Sequence, residues 1–368
     1  MSYTDEHVAL CALNKVYGFQ PAEALEKISQ AGGALALCEE LPEELEWARK
    51  ELSRITELGF RFIGLYDEDY PAALRECEDP PLGLYLNGSS SPTEIFALRP
   101  MVGIVGTRDI SPYGREWCRK IVEALAAAPV QPCIVSGLAF GADGIAHKSA
   151  LECGLPTVGV MATGIERVYP WQHTDLAMSM VRSPGSGVLT DYPLGTCPVA
   201  LNFLRRNRII AGLVRGVIVV ESKSKGGSLM TARYAVDYSR EVYALPGRAD
   251  DIRSAGCNSL IAHNMAQLIT SPEELVGQLG LGSVVRGAGG SWASRSLERK
   301  LEQSFGAGSA PTAVALAIRD HRGATADELA ALTGLPIASV LEGIGLLEVH
   351  GIITTDILRR CALAPAWA

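Results

Sequence analysis

The sequence predicts an α/β protein with a mostly parallel sheet at its core, a helical N-terminal domain and a C-terminal winged-helix domain. Two textures lead to this reading. Between about Met101 and Ile269, short apolar runs alternate with helical patterns, as in a parallel sheet covered on both faces. Before and after that stretch, apolar residues recur at three- and four-residue spacings, the period of helices.

Residues 1–80 form the first domain, with helices expected in DEHVALCALNKVYG, PAEALEKISQAGG and EELEWARKELSRITELG. The Pro-rich DEDYPAALRECEDPPLGLYLNG leads into a core over 81–280. Its strands are expected at MVGIVG (101–106), PCIVSG (132–137), PTVGVMA (156–162), GVLTDY (187–192), GVIVVES (216–222) and EVYALPG (241–247). Helices such as YGREWCRKIVEALAAA and SLMTARYAVDYSR lie between them. Residues 281–310 are Gly/Ser/Ala-rich and read as a linker. From 311 to 368, AVALAIRDH, ATADELAALTGL and PIASVLEGIGLLEVHG read as a helix-turn-helix with a turn at Gly334 and a short wing after Gly351. Its last helix carries Glu342 and Glu348 and no Lys or Arg, so it is expected to meet a protein rather than phosphates.

The 368 residues fit two or three domains. With 48% apolar and 20% charged residues the chain is globular in composition. No apolar run reaches the ~18 residues of a membrane span, and MSYTDEHVAL is too acidic for a signal peptide, so a cytoplasmic protein is expected. Nine cysteines without a C-x-x-C pair, and six scattered histidines, indicate reduced thiols and no structural zinc spacing. Neither a metal nor a cofactor is expected.

The net charge of −8 argues against a polyanionic ligand, but its distribution does not. Residues 1–80 hold seven Lys/Arg against seventeen Asp/Glu, whereas 201–253 hold ten against five. Screening limits the reach of distant charge to about 10 Å, so a local basic stripe can capture a polyanion, though it can also be only a solvated surface.

Three strand ends carry glycine loops: Gly106-Thr107-Arg108, Ser136-Gly137 running to Gly144, and Lys223-Ser224-Lys225-Gly226-Gly227-Ser228. Bare amides and helix N-termini suit anions, and the last loop adds two lysines. Tight turns also use glycine for steric reasons. The chain has no G-x-G-x-x-G or G-x-x-x-x-G-K-[ST], which disfavours a dehydrogenase or an ATPase. The segment from Leu201 to Leu213 reads as a largely buried helix that carries Arg205, Arg206, Asn207 and Arg208. One arginine is expected to pair with Asp191 or Glu221, and the others to face the cleft. Phe203 reads either as a base-stacking ring or as core.

Catalytic patterns are poor. No G-x-S-x-G elbow occurs, Ser186 lacks its context, and Asp143 with His147 at i, i+4 reads as a local loop-orienting arrangement. No catalytic residue is assigned.

In order, VGIVGTR, VSGLAFGADGIAHKSAL, TVGVMATGIERVYP, LNFLRRNRIIAGL, GGSLMTARYAVDYSREVYALPG and GCNSLIAHN resemble the DNA-processing protein A (DprA/Smf) family. The resemblance implies a Rossmann-like core that binds single-stranded DNA, dimerises and helps load the RecA recombinase in natural transformation. The family's Gly-Ser/Thr-Arg signature falls on Gly106, Thr107 and Arg108, its Arg-Asn-Arg on Arg206, Asn207 and Arg208, and its Gly-Ser loop on Gly227 and Ser228. Residues 1–80 resemble its sterile-alpha-motif-like domain. Ala142, Leu204 and the WQHTDL segment depart from the family pattern.

The expected interface is therefore a positive groove. Arg108, Lys223, Lys225 and Arg206 or Arg208 neutralise phosphates, and amides at Gly137 and Gly226 to Ser228 take further oxygens, without a base code. The competing reading is a nucleotide-processing enzyme resembling the cytokinin-activating phosphoribohydrolases. Its glycine loop is followed by a catalytic Glu, which Lys225 to Arg233 lacks here.

Overall fold

The computed structural model describes residues 3–283, 297–298, 301–302, 304–321, 323–356 and 359–364. They fall into two compact units, residues 1–286 and 287–368.

The first unit opens with four helices, α1 (Asp5–Tyr17), α2 (Pro21–Ala31), α3 (Ala34–Cys38) and α4 (Pro42–Glu57). Thr4 and His7 form a capping box that starts α1. Here the structure departs from the all-helical reading of 1–80. Arg61–Gly64 is a strand, β1, paired antiparallel with β2 (Gly83–Asn87). Both join the main sheet through β6 (Gly187–Thr190), antiparallel to β2. Arg-Phe-Ile-Gly is too short to display a period of two, and Phe62 and Ile63 are both buried, so the segment carries no alternation to read.

The remaining strands are β3 (Met101–Val105), β4 (Cys133–Ser136), β5 (Thr157–Val160), β7 (Gly216–Val219), β8 (Glu241–Ala244) and β9 (Gln267–Leu268). The sheet order is β1-β2-β6-β5-β4-β3-β7-β8-β9, and every pairing from β6 to β9 is parallel. The six strands expected between residues 101 and 247 are all present. The two-residue β9 was too short to anticipate.

Helices cover both faces: α5 (Ala72–Arg75), α6 (Pro92–Phe96), α7 (Pro112–Ala126), α8 (Ala142–Glu152), α9 (Thr174–Arg182), α10 (Ala200–Leu213), α11 (Ser228–Asp237), α12 (Ala255–Ala262) and α13 (Pro272–Gln278). Alternate residues of each strand supply two separate cores. Val102, Ile104 and Ile218 pack with Ile121, Val122 and Leu125 of α7. Val105, Val217 and Val219 pack with Ile209 and Ile210 of α10. This is a Rossmann-like fold. The chain adds β4, β5 and β6 on one side of β3 and then returns to place β7 on the other. Ligands of such sheets gather at this reversal, beyond the carboxyl ends of the strands.

In the second unit, α14 (Ala310–Asp320), α15 (Ala326–Thr333) and α16 (Ile337–Val349) precede an antiparallel pair, β10 (Ile353–Thr355) and β11 (Cys361–Leu363). Val314, Ile318, Leu329, Val340 and Leu347 form its core. Gly334, with φ +70°, ends α15 in the left-handed conformation that glycine tolerates best. The expected 281–310 linker lies mostly outside the described residues. Among the described residues no single helix is long and apolar enough to cross a membrane.

Candidate nucleic-acid interface

At the reversal, the loop after β3 is held from both sides. The Thr107 N–H donates to Glu221 O at 2.7 Å, and Thr107 O accepts the Ala142 N–H at 3.2 Å. Gly106 sits so close to α8 that a Cβ there would lie 2.7 Å from the Ala142 Cβ. The buried Glu221 carboxylate accepts the Ser111 N–H at 2.9 Å and its hydroxyl at 2.5 Å, and Ser111 Oγ caps α7 through the Gly114 N–H. The loop is thereby fixed while Arg108 stays exposed. Its guanidinium lies 5.2 Å from the centre of the Phe203 ring, and Phe203 is 5.5 Å from Tyr169 at a 58° tilt. A cation over a partly exposed ring can offer both charge and a stacking face.

The second loop is built differently. Ser136 Oγ is fully buried and donates to Ile104 O at 2.5 Å. The Gly137 N–H is taken by Asp143 Oδ2 at 3.1 Å, and the Ala139 N–H by the same oxygen at 3.3 Å. Gly137 therefore does not present the free amide that its sequence context suggested, and Ser136 faces the interior. Asp143 orients the loop, as expected. Burial pushes its carboxyl above the usual range, while Arg206 pulls the other way. His147 does not bond Asp143. Its Nδ1 lies 2.7 Å from Thr157 Oγ1, and burial, aided by His173 and Arg206, pushes the imidazole down to about 3.

Helix α10 corrects the expectation that Arg206 or Arg208 faces the cleft. Both are buried. Arg206 donates to Gly137 O at 2.7 Å, to Val160 O, and through Nε to Asn207 Oδ1 at 3.3 Å, and burial lowers it to about 10. Arg208 pairs with Asp191 at 3.0 Å and Asp79 at 3.8 Å and donates to the Asp79 carbonyl. The pairing with Asp191 was anticipated; none forms with Glu221, whose carboxylate holds Ser111. Arg205 turns toward Phe19 and lies 3.7 Å from that ring's centre. The inward turn has a physical reason. Strand ends β4 and β5 expose carbonyls to α10, and a guanidinium fork satisfies several at once.

Asn207 joins the third loop, its Nδ2 donating to Gly227 O at 3.3 Å. Phe203 and Asn207 are four residues apart on one helix face, so α10 spans from Arg108 to the Gly227 loop. In that loop Lys223, Ser224, Lys225 and Gly227 are exposed. The Gly226 N–H closes a turn onto Lys223 O at 2.9 Å, so of the three amides expected here, those of Gly227 and Ser228 remain to open α11. Ser228 Oγ bonds Ser222 Oγ at 2.9 Å.

The sequence pattern of the DNA recombination-mediator protein A family matches residues 61–280, well over half the chain. The chain belongs to this family. Protein Smf of Synechocystis is 42% identical over 220 residues, 60% of this chain and 54% of that protein, so the chain spans about half the length of that relative. The X-ray structure of DNA processing protein A from Streptococcus pneumoniae covers 76% of this chain and 99% of its own, at 30% identity and TM-score 0.59. A Helicobacter pylori DNA processing protein A structure, described for its single-stranded DNA binding mode, covers 60% and 95%, at 29% identity and TM-score 0.53.

In this recombination-mediator fold Arg108, Lys223, Lys225 and Gly227 are exposed and Phe203 is half-buried, with Ser136, Gly137, Arg206, Asn207, Arg208 and Ser228 buried behind them. Tyr169 and Glu221 also belong, one beside Phe203 and the other beneath the Arg108 loop. Sequence reasoning did not place them there. Their partners lie 34 and 110 residues away, and no local pattern marks either.

Proposed function

We propose that the chain binds single-stranded DNA, without reading its bases, at the carboxyl ends of β3 and β7. The observation that carries this reading is Arg108, exposed and stacked over Phe203 at the point where the sheet reverses. Lys223 and Lys225 supply further charge on the neighbouring loop, and the open α11 start offers amides. Such groups recognise phosphate and any π-face, so sequence tolerance and steep salt dependence follow. A duplex hides its base faces, so single strands win.

The family supports a role in DNA processing during transformation and recombination. Within it we read this protein as a binder that acts without a catalytic step, in the cytoplasm, as a homodimer through the Rossmann-like core, delivering strands to RecA. We assign α1–α4 to a sterile-alpha-motif-like helical domain and residues 311–368 to a winged helix that meets protein, because Glu342 and Glu348 on α16 are both exposed.

Fluorescence anisotropy with single- and double-stranded oligonucleotides across a salt series tests the binding reading. Tighter binding of single strands, with a log–log slope of several units, is expected. Equal affinity for duplex, or a flat salt response, overturns it. Sedimentation with and without RecA and a strand tests the partner and the dimer.

A further inference from the structure

Beside Arg108, a cavity of about 670 Å³ opens between α7, α8 and the turn before α9. Arg108 lines it as well as the groove. Arg115 and Arg119, four residues apart on α7, add two exposed cations, and Lys148 adds a third from α8. Three carboxylates also border it. Asp109 is ion-paired with Arg253 at 3.2 Å, Glu152 stands 3.9 Å from the Lys148 ammonium, and Asp175 occupies the first turn of α9, where a helix favours negative charge. The balance is positive.

The cavity also has a firm aromatic wall. His173 Nδ1–H donates to Leu138 O at 2.8 Å, which fixes the ring, and Phe140 packs edge-on against it at 5.2 Å. Phe140 remains 42% exposed, so part of its ring faces the cavity mouth. A Cβ on Gly144 would lie 2.7 Å from His173 Cε1, so only glycine lets the imidazole lie across α8. The short segment from Tyr169 to His173 runs from the Phe203 groove to this wall.

We propose that this cavity is a second lane of the same interface, taking the nucleotides next to those held at Arg108. Arg115, Arg119 and Lys148 hold their phosphates, and Phe140 with His173 offers a face to a base. The proposal rests on the single-strand reading of the Arg108 groove. Apart from the shared Arg108, the cavity cations lie on α7 and α8, outside the glycine loops, so the lane lengthens the footprint rather than creating the site.

The test compares Arg115→Ala/Lys148→Ala with a control lacking two other exposed arginines, Arg99→Ala/Arg182→Ala. Affinity for oligothymidylates from 5 to 25 nucleotides is measured at fixed salt, then across a salt series, with thermal melts confirming that both variants fold. The cavity variant is expected to match wild type on the shortest strands, fall about tenfold behind on the longest, and lose about 1.4 units of salt slope there, 0.7 per phosphate. The control stays within twofold of wild type at every length. Equal loss at all lengths, equal loss in the control, or no loss overturns the lane alone. A wild-type protein without single-strand affinity, or an Arg108→Ala protein unchanged at every length, overturns the groove reading beneath it.

Discussion

Two sets of cations meet at the reversal of the sheet and do opposite work. On α10, Arg206 and Arg208 are buried and their N–H groups already have protein acceptors. On the loops after β3 and β7, Arg108, Lys223 and Lys225 stand in water. The role of a cation follows from what accepts its protons before a ligand arrives. The inner set positions loops, and the outer set is free to meet phosphate.

The largest effect should come from the inner set. Arg208→Ala leaves Asp191 buried without its ion-pair partner, and about 3–5 kcal/mol of stability should be lost in urea unfolding. A variant that kept its stability yet lost DNA affinity would erase the distinction between the two sets.

Acid should separate them next. The unfolded chain protonates His147 near its ordinary 6.5, whereas the folded chain refuses the proton until about 3. Between these values the unfolded state binds more protons, so stability falls as pH falls, by about 1.4 kcal/mol per unit from this group. Asp143 and Asp191 act the other way. Burial raises both, so the folded state takes up their protons first and they favour the fold toward acid. Urea melts at pH 7, 5 and 4 should show a shallower decline for His147→Gln than for wild type; parallel curves would remove His147 from this account.

For the outer set the expectation reverses. Arg108→Ala should weaken single-strand binding at least tenfold, about 1.4 kcal/mol, and flatten the salt slope by about 0.7, with an unchanged melting temperature. Lys225→Ala should be the mildest, a few-fold in affinity with a similar change in slope. If Lys225→Ala proved the more damaging, the weight of the interface would shift from the β3 loop to the β7 loop.

The parallel core was legible because its strands are apolar throughout and bounded by glycine, so sequence and burial coincide. The outer cations were legible for the same local reason: they follow strand ends in glycine loops. What could not be read was orientation. Arg206 and Arg108 look alike in a list of basic residues, and only the carbonyls of Gly137 and Val160, supplied by other strands, turn Arg206 inward. The Gly137 amide was likewise claimed by Asp143 six residues on, a bond that depends on the start of α8 folding back over its own loop. Arg61–Gly64 escaped notice because four residues cannot display a period.

That short strand also decides where the molecule can be cut. Since β1 zips onto β2, a fragment beginning after residue 80 would bare the outward amides and carbonyls of Gly83–Leu86 along the flank of the eight strands that remain. An unguarded border of this sort invites copies to add themselves end on end, so such a trimmed protein should clump rather than stay dispersed, however intact its loops.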